Sequence, residues 1–282
     1  IDKAVRLAGI GQNNLVKVPT DDDFAMRPDL LEQAIAEDRE AGFVPAGIIG
    51  CIGGTSIGAS DRLNEILPIA RGEGLYSHID AAWAGSAMIC PELRHVWQGI
   101  ELADSVVFNP HKWLGANFDC SVQFLREPAD QVRTLAIRPH YLETLETEQI
   151  TNYSEWTIPL GRRFRALKLW FLLRAYGLEG LRERIRNHVR WAGDAAVLIS
   201  QLPNMQVVTE PRLALLTFRF MPPGINPDHA TRTLLERINN DGRTYLTQTT
   251  HQNQFVIRMS IGHFETTWAD VQSTCEIRRA HV

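Results

Sequence analysis

The chain has 282 residues, 44% of them hydrophobic and 22% charged, with a formal net charge of −4. That length can bury one large α/β core or two smaller ones. The slight acid excess leaves no basic face for nucleic acid, and no apolar run approaches the ~20 residues of a membrane-spanning helix. Cys51, Cys90, Cys120 and Cys275 are scattered without a Cys-x-x-Cys pair, which argues against a zinc site or a disulfide framework and for a reducing cytoplasm. The N-terminus has no signal-peptide layout.

From Pro28 the pattern alternates between helix and strand. A helical period over 28–41 leads into the apolar run 43–53, and a helix is predicted over 61–74. A second strand follows in 75–84, then a helical or loop stretch over 92–103, a third apolar run at 105–109 and a fourth at 120–126. Short apolar runs separated by helices predict a mostly parallel sheet buried on both faces, its fourth strand antiparallel to the third. Residues 127–158 mix charge, Thr and Glu and read as a long, weakly patterned, mobile segment.

The stretch 159–177 opens with proline and closes on Gly177, which predicts a helix over that range. A second helix is predicted over 178–202. Beyond it, strands at 212–220, 243–250 and 254–262 and helices at 228–240 and 265–280 describe a small α+β unit. The chain is thus expected to divide into a large part, 1–177, and a small C-terminal domain, 178–282.

Ligands of open parallel sheets gather at the carboxyl ends of the strands. Three groups fall there: Gly53-Gly54-Thr55-Ser56, Asp80 within HIDAAWAG (78–85), and Asn109 to Lys112 within FNPHKWLGANFDC (108–120). Each has an ordinary reading. The glycine turn can be a tight strand-to-helix connection with Ser60 or Asp61 capping the helix, Asp80 can pair locally, and Lys112 can reach to solvent. Convergence gives the sharper reading, because one cofactor uses all three. Pyridoxal phosphate needs a lysine amine for its Schiff base, a carboxylate for its pyridine nitrogen, and hydroxyl or amide donors for its phosphate. Ala81 and Ala82 are small enough to let a planar ring lie close, and His111 and Trp113 predict a Lys112 sheltered from solvent.

The stretches 78–105, 108–121 and 156–171 (WTIPLGRRFRALKLWF) resemble the pyridoxal-phosphate group II amino-acid decarboxylases, in particular the aromatic L-amino-acid decarboxylases. The match runs from about residue 15 to the C-terminus. It implies the aspartate-aminotransferase-like fold, fold type I, and a homodimer with active sites shared between subunits. By resemblance Lys112 is the Schiff-base lysine, Asp80 the partner of the pyridine nitrogen and Ala82 the residue under the ring. Thr55 matches a cofactor contact, and Asn109 and His111 match positions near the phosphate and the lysine. Tyr153, in ITNYSEW (150–156), matches the catalytic-loop tyrosine that returns a proton to Cα, so the loop at about 138–156 is expected to be catalytic. Related aldehyde synthases carry phenylalanine there.

Gly161 and His111 resemble the aromatic-substrate branch, since the histidine decarboxylases of the family place serine at both positions. Trp113 separates the chain from the glutamate branch. Arg258 lies on an apolar strand where other fold type I enzymes place an arginine for the substrate carboxylate, a role left open because a decarboxylase gains from stabilising that group poorly; Arg162 and Arg163 read as braces of the following helix and His78 as a packed histidine. It further implies a cofactor-binding domain incomplete at its N-terminal side, the missing portion carrying a histidine that stacks on the cofactor. Either a longer chain or a separate N-terminal portion would then complete the site. The activity implied is conversion of an aromatic L-amino acid such as Dopa, tyrosine, tryptophan or 5-hydroxytryptophan to its amine. Two alternatives stay open: decarboxylation coupled to oxidative deamination, giving an aldehyde, and a non-catalytic domain kept for assembly.

Overall fold

The computed structural model describes residues 1–137 and 151–281. After α1 (Asp2–Leu7) and α2 (Pro28–Glu40), the first sheet is built from β1 (Gly47–Cys51), β2 (Tyr76–Asp80), β3 (Ser105–Phe108) and β4 (Val122–Leu125), in the order β1-β2-β3-β4. The first three strands are parallel and β4 returns antiparallel to β3, as the sequence predicts. Parallel pairing requires crossovers. Helix α3 (Leu63–Gly72) makes the first, and a run of 3₁₀ turns between Ala84 and Leu102 makes the second.

Leu63, Ile66, Leu67 and Ala70 follow the spacing of one helix face, and all four are buried. They meet Leu31 and Ile35 of α2 and Ile48 and Ile79 of the sheet. Burial alternates along β1 and β2, so the expectation of a sheet covered on both faces does not hold in this chain. Both helices lie over the face that carries Ile48 and Ile79, and Ile49 on the other face is exposed.

Two helices differ from their predicted ranges. Within the weakly patterned segment, Pro128–Leu135 forms α4 with proline in its first turn, a short helix whose signal is diluted by its polar surroundings. The remainder of that segment at 138–150, including most of the expected catalytic loop, lies outside the described residues. The helix predicted from Pro159 begins instead at Arg165; it and the helix predicted over 178–202 meet at Gly177, whose non-helical φ 65°, ψ 171° separates them as expected, and together they span Arg165–Ser200 as α5. Residues 158–164 approach it non-helically because Arg163 and Arg165 both pair with Asp119 at 3.0 Å.

The second sheet is antiparallel, order β5-β6-β8-β7, from β5 (Met205–Arg212), β6 (Leu215–Phe220), β7 (Thr247–His251) and β8 (Gln254–Ser260). Helices α6 (Pro227–Asp241) and α7 (Trp268–His281) complete this part. The reading of 212–220 as a single strand misses β5, because the chain reverses at Leu213, whose φ is 54°, and Pro211 obscures the preceding strand. Leu181, Ile185 and Ile199 of α5 share a core with Phe218, Ile257 and Met259, and Trp113, Leu114 and Ala116 enter the same core. The lysine-bearing turn is therefore packed on α5 and the second sheet.

Ile66 has no exposed surface. Ile66→Ala is expected to lower unfolding free energy by about 2–5 kcal/mol, measured by denaturant titration.

Candidate active site

Asp80 is the last residue of β2, in register with Cys51 on one side and Val107 on the other. Beyond the strands the backbone stays knitted: Ala81 N–H donates to Val107 O at 3.0 Å and Asn109 N–H to Ala82 O at 2.9 Å. The exits of β2 and β3 are thereby held side by side, which brings Asp80, Ala82 and Asn109 to one edge. Ala82 N–H donates to Oδ1 of Asp80 at 2.9 Å. The other carboxylate oxygen has no protein partner among the described residues, and Asp80 is half-buried. Burial, reinforced by Asp80 and Asp61, pushes the Cys51 thiol up to about 12. His78 is packed as expected, its Nδ1 2.7 Å from Ser105 Oγ, and burial lowers its pKa against the opposing pull of Asp80.

Residues 109–116 form a compact turn: Lys112 N–H donates to Asn109 O at 2.9 Å and Ala116 N–H to Pro110 O at 3.0 Å. Pro110, Trp113, Leu114 and Ala116 are buried, while Lys112 is exposed. The sheltering expected from its neighbours does not occur in this chain. Those side chains form the floor of the turn, and the amine projects from it with no hydrogen bond or ion pair among the described residues. His111 is engaged by its own loop, with Nδ1 2.6 Å from the carbonyl oxygen and 3.0 Å from the amide nitrogen of Cys120.

At the end of β1, Gly53 has φ 74°, and a Cβ there would lie 2.4 Å from that of Ala84. Only glycine lets this turn approach the loop that follows Asp80. Ser60 and Asp61 do not cap α3. Ser60 Oγ accepts from Gly53 N–H at 3.0 Å, and the Asp61 carboxylate accepts from Met26 N–H and Cys51 N–H, each at 2.7 Å. These bonds shape the turn and use the Gly53 donor. The hydroxyls and amides of Thr55 and Ser56 face outward without partners among the described residues. Arg258 of β8 donates from Nε to Thr55 O at 2.6 Å, so it fastens the second sheet to this turn.

Tyr153 sits in a short 3₁₀ turn, 69% exposed. Gln131 of α4 donates to Trp156 O at 2.7 Å and docks the turn. No hydrogen bond or ring contact among the described residues joins Tyr153 to Asp80, Asn109 or Lys112. Gly161 is exposed, with open space where a Cβ would lie. Three residues given no role by the sequence prove central to the packing here. Trp83 stacks on Trp113, ring centroids 4.9 Å apart and planes inclined by 16°. Behind them, His188 and Arg184 of α5 bond to Trp113 and Leu114. His188 and Arg184 are revealed only by contact across 70 or more positions.

A family model described as "Pyridoxal-dependent decarboxylase conserved domain" matches residues 1–221. The chain belongs to this decarboxylase family. Relatives of the pyridoxal-dependent decarboxylase chain include the aromatic-L-amino-acid decarboxylase of Sus scrofa, 39% identical over 95% of this chain and 57% of that one. The phenylacetaldehyde synthase of Arabidopsis thaliana is 37% identical, over 96% of this chain and 58% of its own length. A solved structure of Oryza sativa TDC with PLP and tryptamine superposes with a TM-score of 0.94 at 34% identity, covering 98% of this chain and 59% of the other. The fold is accordingly that of the fold type I decarboxylases, and the chain spans somewhat over half the length of these relatives.

The residues present fit the cofactor of this family. A lysine amine without an acidic partner and a half-buried carboxylate with one free oxygen stand on adjacent strand exits. Unpartnered hydroxyl and amide donors stand at the end of β1. These are the three functions that pyridoxal phosphate requires of a protein.

Behind the lysine turn, His188 has no exposed surface. Burial first, then Arg184 and His263, lower its pKa to about 4 from 6.5. The unfolded chain takes up this proton near pH 6.5 and the folded one does not, so the stability that His188 contributes above pH 6.5 is lost as pH falls toward 4. The expected loss is about 2–3 kcal/mol. Unfolding curves from pH 7 to 4.5 should show His188→Asn, which cannot titrate, losing less stability than the wild type.

Proposed function

We propose that the protein removes the α-carboxyl group of an aromatic L-amino acid as carbon dioxide and leaves the amine. The observation that carries this reading is the pairing, on adjacent hydrogen-bonded strand exits, of an uncompensated Lys112 amine with an Asp80 carboxylate that has one oxygen free. Pyridoxal phosphate, when bound, supplies an aldehyde that takes up amines and a ring that accepts the electron pair freed at Cα.

The chain's own residues have separate tasks. Lys112, exposed on its turn, would offer the amine that holds the cofactor and would give way to the amino group of the substrate. Asp80 would keep a proton on the pyridine nitrogen through its free oxygen, while the Ala82 N–H bond to Oδ1 restrains the carboxylate. Ala82 leaves room for the ring. Thr55 and Ser56 supply phosphate donors on a turn fastened by Arg258, while Asn109 and His111 shape the path to the lysine. Tyr153 would return a proton to Cα.

The exposed position of Tyr153 supports a dimer in which it serves the site of a second copy. The first half of α5 and its approach present Ile158, Phe164, Trp170, Phe171 and Tyr176 to solvent, an apolar surface that suits such an association. The break at Gly177 supports a border between a cofactor-binding part, 1–177, and a C-terminal part, 178–282. A cytoplasmic setting accords with four free cysteines; among the described residues no helix is long and apolar enough to cross a membrane.

For the substrate, Gly161, His111 and Trp113 together support the aromatic class, in line with the names of the relatives. The similarity to a phenylacetaldehyde synthase supports a second reading, in which molecular oxygen is reduced to hydrogen peroxide while the carbon dioxide-releasing reaction yields an aldehyde and ammonia. Tyr153 favours the amine. Lys112→Ala is expected to lower amine formation by about a thousandfold or more and to abolish the visible absorbance that pyridoxal phosphate gains on attachment to lysine. Unchanged turnover would overturn the assignment, and stoichiometric peroxide would select the second reading.

A further inference from the structure

His188 is fully buried, yet its Nδ1 accepts the indole N–H of Trp113 at 3.0 Å. An indole nitrogen only donates, so Nδ1 carries no proton and the imidazole is held neutral with its proton on Nε2. That nitrogen is itself buried without a partner among the described residues. A leucine here would remove the unpaired Nε2–H but leave the buried indole N–H of Trp113 without an acceptor, so the histidine serves as the acceptor for Trp113. One helical turn earlier, Arg184 donates from Nη2 to Leu114 O at 2.6 Å, and its guanidinium lies 3.6 Å from the centre of the Phe264 ring. Its pKa is lowered to about 10 by burial, so it stays charged at neutral pH.

Arg184 and His188, at i and i+4, therefore grip the two residues that follow Lys112, one through the backbone and one through the side chain. The grip extends further, because the ring of Trp113 stacks on Trp83, in the loop that begins at Asp80. We infer that Arg184 and His188 are positioning residues, by which α5 holds the Trp113–Leu114 turn and, through the Trp83–Trp113 stack, sets Lys112 and Asp80 relative to each other. This rests on the reading of Lys112 and Asp80 as the residues that hold the cofactor.

The test uses the full-length protein with pyridoxal phosphate. Four readouts are taken: the rate at which visible absorbance develops, the mass of the Lys112 peptide after borohydride reduction, kcat and KM for amine formation, and the thermal midpoint. His188→Leu is expected to slow attachment at Lys112 and to lower kcat by about tenfold, with KM within about twofold of the wild type. Trp113→Phe, which keeps an aromatic ring but removes the donor and part of the stacking area, is expected to lose at least as much, and the double variant to be no worse than Trp113→Phe alone. His188→Asn restores an acceptor and should recover most of both rates; Arg184→Met should lose about threefold.

If His188→Leu does not fold, Trp113→Phe carries the comparison. A lowered thermal midpoint with attachment rate and kcat unchanged would reduce these residues to ordinary core and overturn the inference. A wild-type protein that forms no adduct at Lys112 would instead bring down the reading of the site, and this inference with it.

Discussion

The structure depends on one aromatic contact backed by one buried hydrogen bond. Trp83 follows Asp80 and Trp113 follows Lys112; their rings stack at 4.9 Å, and the indole N–H of Trp113 ends on His188. Trp113 belongs to the core of α5 and the second sheet, while Trp83 packs against both that core and the one beneath the first sheet. Through this pair, and through Leu213, the two hydrophobic cores meet. Asp80 and Lys112 stand on the rim of that junction, where the packing below them leaves little freedom to drift.

The same arrangement explains how an exposed lysine can still be well placed. Desolvating an ammonium without a counter-charge is costly, and Lys112 avoids that cost by projecting from a turn whose other side chains are buried. The order resides in Pro110, Trp113, Leu114 and Ala116. Asp80 is treated similarly: one oxygen is tied to the adjacent backbone and the other left free. The two groups remain available to a ligand because the protein has spent none of its own charges on them.

Much of the fold was legible in the sequence where local pattern and tertiary role coincide. The helix over 28–41 and the parallel strands follow from hydrophobic periodicity, and the reversal of β4 from the short connection before it. Misses occurred where a non-local force took precedence. The start of α5 moved to Arg165 because Asp119 draws in Arg163 and Arg165. Strand β5 was hidden because a reversal at Leu213 rests on a positive φ that a leucine does not advertise. Ser60 and Asp61, plausible helix caps by position, instead accept from amide groups of the β1 turn and of Met26.

For the candidate site, the sequence by itself determined which chemical groups stand at the strand exits: Asp80, Lys112 and the hydroxyls of Thr55 and Ser56. Residue type and position after an apolar run are local properties, and family likeness reads them directly. Tertiary structure alone decided that Lys112 is exposed, that Arg258 fastens Thr55, and that His188 and Arg184 support the lysine turn. Those facts depend on contacts between residues far apart in the chain, whose partners are selected by packing geometry; no periodicity or spacing along the sequence records such a choice.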